Sequence, residues 1–163
     1  MQKLDILITA MIEYYSGDPK RIQHFIKVHS FAELIGLGEK LDGNTMLILE
    51  AAAVVHDIGI KAAEEKFGRC DGKLQEQEGP ALAKEMLEKV GFEKDVIDRV
   101  SYLVGHHHTY KNIDGADYQI LVEADFLVNL YEDSLPQEAV VSAYNRIFKT
   151  KTGRRLCSTM FKL

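Results

Sequence analysis

The chain has 163 residues, 46% of them hydrophobic, enough for one well-buried core and too few for two ordinary domains. A balance of 20 basic against 25 acidic side chains gives a formal charge of -5 at pH 7, which argues against broad nucleic-acid binding and against adhesion to an anionic membrane, since both draw on a basic surface. Cys70 and Cys157 are the only cysteines and form no C-x-x-C arrangement, so neither a disulfide framework nor a thiolate zinc site is expected, and a reducing cytoplasm is the expected compartment.

Apolar periodicity is helical nearly throughout, which predicts an all-α single compact bundle of about seven helices. A first helix covers about residues 2–15; its Asp5 and Glu13 rule out reading it as a secretory signal. Asp18 then caps a second helix running from Pro19 to about Lys40, with the proline in its first turn. "LDGNT" is a turn, and from about Thr45 a third helix carries the run "LEAAAVVHDIGIK". Between Lys61 and Glu78 charges and glycines replace the pattern, predicting a short helix and an irregular loop. A fourth helix starts near Gly79-Pro80, a fifth spans roughly Glu93–Gly105, and a sixth covers about Tyr118–Tyr131. Ser134 is read as the cap of a seventh, with Pro136 in its first turn. The basic tail is a helical extension of the one domain, residues 1–163. No stretch is apolar for long enough to span a bilayer.

Polar residues inside apolar helices are the chemical signal. His24 shares its helical face with Val28, Phe31, Ala32 and Ile35 and therefore turns inward, whereas His29, with Glu33, Gly36 and Lys40, turns to solvent. His56 and Asp57 end a strongly apolar run, and Asp125 sits among Leu121, Val122 and Val128 on a helix apolar almost all round. Burying such groups is costly unless something meets them. Each has an ordinary alternative: a core histidine on a backbone carbonyl for His24, an ion pair for Asp125. One ion would answer all four at once. Two imidazoles and two carboxylates suit Fe, Mn, Co, Ni or Zn with coordination positions left open. The run His106-His107-His108 closes a later helix and adds further imidazoles, with adventitious surface binding as its alternative.

These residues resemble the HD-domain metal-dependent phosphohydrolases over about residues 18–132. "RIQHFIKVHSFA" fits the pattern H-x-x-x-V-x-x-x-A through His24, Val28 and Ala32; "HDIGIK" supplies the His-Asp pair and "EADFL" the last aspartate. The resemblance implies an HD-type bundle with a metal site at its centre, His24, His56, Asp57 and Asp125 as ligands of one divalent transition-metal ion, and His107 and His108 as holders of a second ion or contacts to phosphate. In many relatives a histidine stands some four residues before a Gly-Ala step; here "KLQEQEGPALA" has none, although Glu78 offers a carboxylate. "HHHTYKNIDG" lacks the Gly-Tyr-Pro of the cyclic-dinucleotide-cleaving branch.

The expected activity is hydrolysis of a phosphate ester, of a nucleotide or related phosphorylated metabolite, by attack of metal-bound water. Asp57 would steer or accept the proton of that water. Lys61, four residues on, would bind phosphate or stabilise the leaving oxygen if the helix continues, its alternative being an i,i+4 pair with Asp57. Lys66, Arg69, Lys73 and Lys111 would form a local positive rim for the anionic substrate. Two other readings remain open: a non-catalytic metal- or nucleotide-binding regulatory module, and an HD-type di-iron oxygenase.

Overall fold

The computed structural model describes residues 1–163 and contains helices without strands. In chain order these are α1 (Lys3–Tyr14), α2 (Pro19–Gly38), α3 (Gly43–Val55), α4 (Gly59–Phe67), α5 (Gly72–Val90), α6 (Lys94–Val104), α7 (Ala116–Glu132), α8 (Gln137–Arg146) and α9 (Lys151–Phe161). The all-α expectation holds, with nine helices in all: beside the seven main ones, the expected short helix begins at Gly59 rather than after Lys61, and the tail forms α9. None is long and apolar enough to cross a membrane.

Helices α3 and α7 make the middle of the bundle. Residues Ala51 to Val55 of α3 are all fully buried, and α7 buries Ile120, Leu121, Val122, Ala124, Leu127, Val128 and Leu130. Helices with cover on several sides need no polar stripe, which is why these two segments read as apolar all round. α2 lies between them, packing on both, while α6 and α1 close the far sides of α3 and α9 packs on α7. Asp18 caps α2 as expected, accepting from the Arg21 N–H at 3.1 Å, and Asp42 and Asp71 cap α3 and α5 in the same way.

Two boundaries differ from the sequence reading. α5 begins at Gly72, so residues 72–79 are helical rather than looped, and Pro80 lies inside the helix. Proline there removes the N–H that would reach the Glu76 carbonyl. Packing outweighs that loss. A Cβ on Gly59 would lie 2.8 Å from both the Gln75 carbonyl oxygen and the Gly79 nitrogen, so the start of α4 meets α5 backbone to backbone, and the Pro80 ring packs on Gly105. Ser134, in turn, does not cap α8, whose N-cap is Pro136 without a side-chain bond. It adopts φ +49° and ends α7: the Ser134 N–H bonds the Tyr131 carbonyl and the Leu135 N–H bonds Leu130, a Schellman closure.

One buried acid ties the C-terminal helix down. Glu123, fully buried on α7, accepts from the backbone N–H groups of Lys149 at 2.6 Å and Thr150 at 2.9 Å and from the Gln119 amide at 2.8 Å. Nothing in its spacing separated it from an ordinary solvated glutamate.

The α4–α5 contact admits no side chain at position 59. Gly59→Ala is expected to lower unfolding free energy by about 1–3 kcal/mol in urea titration, whereas Gly43→Ala, whose Cβ would meet open space, is expected to be neutral.

Candidate metal centre

The break between α3 and α4 presents the His-Asp pair. α3 ends at Val55, residues 56–58 form a turn, and α4 starts at Gly59. Two tyrosines at the end of α1 hold this turn, Tyr15 donating its hydroxyl to the Asp57 carbonyl at 2.6 Å and Tyr14 to the Ile58 carbonyl at 3.2 Å. His56 is thereby fully buried beneath α2 and α7.

Four side chains from three helical segments converge there. His24 Nε2 lies 3.2 Å from His56 Nε2, 3.2 Å from Asp57 Oδ2 and 3.2 Å from Asp125 Oδ1. His56 Nε2 lies 3.4 Å from Asp57 Oδ2 and 3.5 Å from Asp125 Oδ1. Neighbouring ligands held roughly 2.1 Å from one ion stand about 3.0–3.4 Å apart, so His24, His56 and Asp57 form a group that fits a shared cation, and Asp125 adjoins it through the two histidines.

Hydrogen bonds on the outer sides of the rings decide what faces the centre. The Nδ1–H of His24 donates to Glu132 Oε2 at 3.2 Å, that of His56 to the Ala53 carbonyl at 2.7 Å, and that of His107 to the Val104 carbonyl at 2.8 Å. In its neutral form each ring then turns the Nε2 lone pair inward, the outer-layer pattern of metal-ligating histidines. Asp125 Oδ1 also accepts from the Asn129 amide at 2.9 Å. His107 Nε2 is buried with no hydrogen-bond partner, 3.4 Å from Asp57 Oδ1. Lone pairs and carboxylates crowded together in this way need a positive charge among them, and the residues present fit a divalent ion.

Protonation tells the same story. Burial opposes a charge on His24, but its hydrogen bonds to Asp125 and Asp57 outweigh that and lift its pKa to about 9. His56 is likewise raised against its burial by Asp57 and Asp125. Asp57, despite burial, is held well below the usual carboxylate range by His56, His107 and His24, and Asp125 is lowered by His24 and His56.

Asp57, His107 and His108 form a second group able to hold a metal. Its geometry is constrained by Gln75, which stands four residues before Gly79. The Gln75 Nε2–H donates to the Cys70 carbonyl at 2.7 Å, which turns Oε1 toward His108 Nε2 at 2.8 Å, so that Nε2 carries the proton. Burial, with His107 nearby, drops the His108 pKa to about 4, so the ring is neutral. The loop carrying both histidines is pinned by Arg99, which grips Asp117 through two bonds of 2.8 Å, and by Glu76, which accepts from the His108 N–H at 3.0 Å. Of the three consecutive histidines, His107 and His108 thus reach the site, while His106 stacks on Tyr102 with ring centroids 4.1 Å apart.

Other predicted positions lie elsewhere. Lys61 is exposed, its Nζ 5.2 Å from the centre of the Tyr14 ring, because the turn at 56–58 breaks the i,i+4 relation to Asp57. Glu78 pairs with Lys66, and Gln75, one turn earlier on α5, takes the inward position. None of Lys66, Arg69, Lys73 and Lys111 lines the cleft above the centre. That cleft, about 360 Å³, has Lys20 and Arg21 at the start of α2 as its cations. His29 is not solvated but bonds Glu50 at 3.1 Å, since α3 covers that face of α2. Glu132 and Asn129 were readable: with Asp125 they fall at i, i+4 and i+7 on one face of α7.

Two measurements follow. Glu132→Gln is expected to weaken metal affinity about 10–100-fold in competition with a chelator. For the metal-free protein, the raised His24 pKa contributes stability that is complete below the ordinary 6.5 and lost as pH rises through about 9, so melting temperature in EDTA should fall across that window. The rise on adding Mn²⁺ should be larger at pH 9 than at pH 6.5, because protons then no longer compete.

The comparisons agree with this geometry. The HD domain family model matches residues 21–145. The crystal structure of a predicted HD superfamily hydrolase from an uncultured Thermotogales bacterium superposes with TM-score 0.68, covering 97% of this chain and 84% of that one at 23% identity, which is a likeness of fold. No curated protein matches the chain. With the family pattern spanning most of its length and the His-Asp pair at the centre of the bundle, the chain belongs to the HD-domain family.

Proposed function

We propose that this chain is a metal-dependent phosphohydrolase that cleaves the phosphate ester of a nucleotide or related phosphorylated metabolite. The observation that carries this reading is the convergence of the Nε2 atoms of His24 and His56 with Asp57 and Asp125 at the floor of a cleft whose rim holds Lys20 and Arg21. His24, His56, Asp57 and Asp125 would hold a divalent ion, which would supply a Lewis acid for the phosphoryl oxygen and lower the pKa of a bound water. In the net reaction water adds to phosphorus, the bond from phosphorus to the ester oxygen breaks, and the alcohol departs with a proton.

The chain's own groups divide the remaining work. Lys20, exposed and without a carboxylate partner, is the cation available for substrate phosphate, since Arg21 already pairs with Asp18 and Glu64. Lys20 therefore takes the role expected from the sequence for Lys61. Asp57 stays ionised among its imidazoles, which suits it to accept a hydrogen bond from the attacking water and orient it, more than to store its proton. Gln75 holds His108 through Nε2, so recruiting that nitrogen to a second ion with His107 and Asp57 would cost this bond, which favours a single ion. The same bond weakens the di-iron reading, which needs His108 as a ligand. Two free cysteines fit a reducing cytoplasm as the working compartment.

The test is elemental analysis of the purified protein followed by a phosphomonoester and phosphodiester panel with Mn, Co, Ni, Fe and Zn. His56→Ala and Asp57→Ala are each expected to abolish metal retention and hydrolysis. Lys20→Ala should raise KM about tenfold through loss of a charge-assisted contact to phosphate, while Lys61→Ala leaves kinetics unchanged. Full activity in metal-stripped His56→Ala protein would refute the reading, and tight nucleotide binding without turnover of any ester would favour the regulatory one.

A further inference from the structure

The cations of this chain are unevenly placed. Residues 139–163 carry Arg146, Lys149, Lys151, Arg154, Arg155 and Lys162, six of its 20, and none of its 25 acids. Arg154 is spent within the fold, donating to the Tyr144 and Phe148 carbonyls at 3.2 and 3.0 Å and lying over the Tyr144 ring. The other five are exposed and none is paired with a carboxylate, although the chain as a whole is acidic. A concentrated positive surface on an acidic protein draws anions to one place.

Part of that surface is concave. A groove of about 350 Å³ between α2 and α9 is lined by Leu34 and Gly38 of the first helix and Lys151, Thr152, Arg155 and Leu156 of the second. The helices touch where Thr152 occupies the space a Cβ on Gly38 would need. Leu34 is 52% exposed, so the groove adds apolar surface to its two cations. Lys151 and Arg155 stand four residues apart on α9 and share one face, their Cβ atoms about 5–6 Å apart. No lining residue is shared with the metal-site cleft, and Gly38 lies roughly 21 Å along α2 from His24.

The surroundings narrow what can lie there. The backbone N–H groups that open α9 are taken: Thr152 donates to Glu39 at 2.7 Å, Lys149 and Thr150 donate to Glu123, and Gly153 donates to Thr150 Oγ1. A free phosphate therefore meets two flexible side chains and no backbone cradle. Nucleic acid gains from rings on which bases stack, and no aromatic residue lines the groove. An anionic bilayer rewards apolar side chains that project from a basic face, whereas Leu34 and Leu156 line a recess. A recess with two cations on one helical face and two leucines suits carboxylates and an aliphatic side chain held on one segment.

We propose that the groove between α2 and α9 docks a segment of another protein that carries two carboxylates one helical turn apart, for Lys151 and Arg155, beside an aliphatic side chain that packs on Leu34 and Leu156. Because the groove lies apart from the metal-site cleft, docking there leaves that cleft open.

The experiment pans a displayed library of random short peptides against the immobilised full chain and, in parallel, against the double variant Lys151→Glu, Arg155→Glu. Enriched peptides should share two acids about three or four residues apart next to Leu, Ile or Val, and the double variant should not select them. In fluorescence anisotropy a peptide of that consensus should bind the double variant at least about tenfold more weakly, since two attractions become repulsions. Leu34→Ser should weaken it about fivefold through lost apolar contact, and rising salt should weaken it further. Melting temperature and metal content should stay unchanged, as all three positions are exposed and outside the metal-site cleft. No enriched peptide, a consensus without acids, or equal binding to the double variant overturns the proposal. Phosphatidylserine vesicles and single-stranded RNA are the competing probes, and sedimentation velocity tests a second copy of the chain. If one of these engages the wild type, loses the double variant and outcompetes the consensus peptide, the surface belongs to that occupant and the proposal falls.

Discussion

Three imidazole nitrogens carrying lone pairs and two carboxylates occupy one small buried volume, and the rest of the structure is arranged so that they cannot separate. His24 and His56 face each other at 3.2 Å, both already donating their other nitrogen outward, so no hydrogen bond between neutral rings relieves the contact. A protein interior does not hold such a set without a cation, because unpaired buried charge and unsatisfied polar atoms are among the costliest things folding can retain. The site is therefore a structural demand for positive charge, and one able to hold a metal ion. Protons can meet part of that demand, which is why the histidines are lifted and the aspartates lowered in the ion's absence.

Meeting the demand calls on groups far from one another. The α1 tyrosines hold the turn at residues 56–58 by its carbonyls, and the glycine contact between α4 and α5 brings Gln75 beside that turn. Arg99 and Glu76 fasten the loop that delivers His107 and His108, while Glu132 and Asn129 orient His24 and Asp125 from the outer side. Gln75 is the local departure with the largest chemical consequence. It accepts a hydrogen bond from His108 Nε2–H and fixes that ring, kept neutral by burial, in the wall of the cleft.

Much of this could be read along the chain. Helical periodicity marked the all-α fold, Asp18-Pro19 marked the start of α2, and a histidine or aspartate embedded in an apolar stripe marked His24, His56, Asp57 and Asp125 as groups needing a shared partner. Those signals are local, since they depend only on which side of a helix a residue occupies. Failures arose where one element's conformation is set by another. Pro80 reads as a helix start because its missing N–H is harmless in a first turn, yet packing against Gly105 keeps it inside α5. Lys61 was placed on the face of Asp57 by assuming an unbroken helix, and the turn held by Tyr14 and Tyr15 sends it away.

Sequence alone determined the helical class and that His24, His56 and Asp125 turn into the core, because burial of a polar group within an apolar face is a property of spacing and polarity along a single segment. Tertiary structure alone decided which of the three consecutive histidines turn inward, that Gln75 holds His108, that Glu123 anchors α9, and that Lys20 rather than Lys61 stands over the cleft. Each of those depends on a contact between segments distant along the chain, and no local pattern records which neighbour a side chain will meet once the helices have packed.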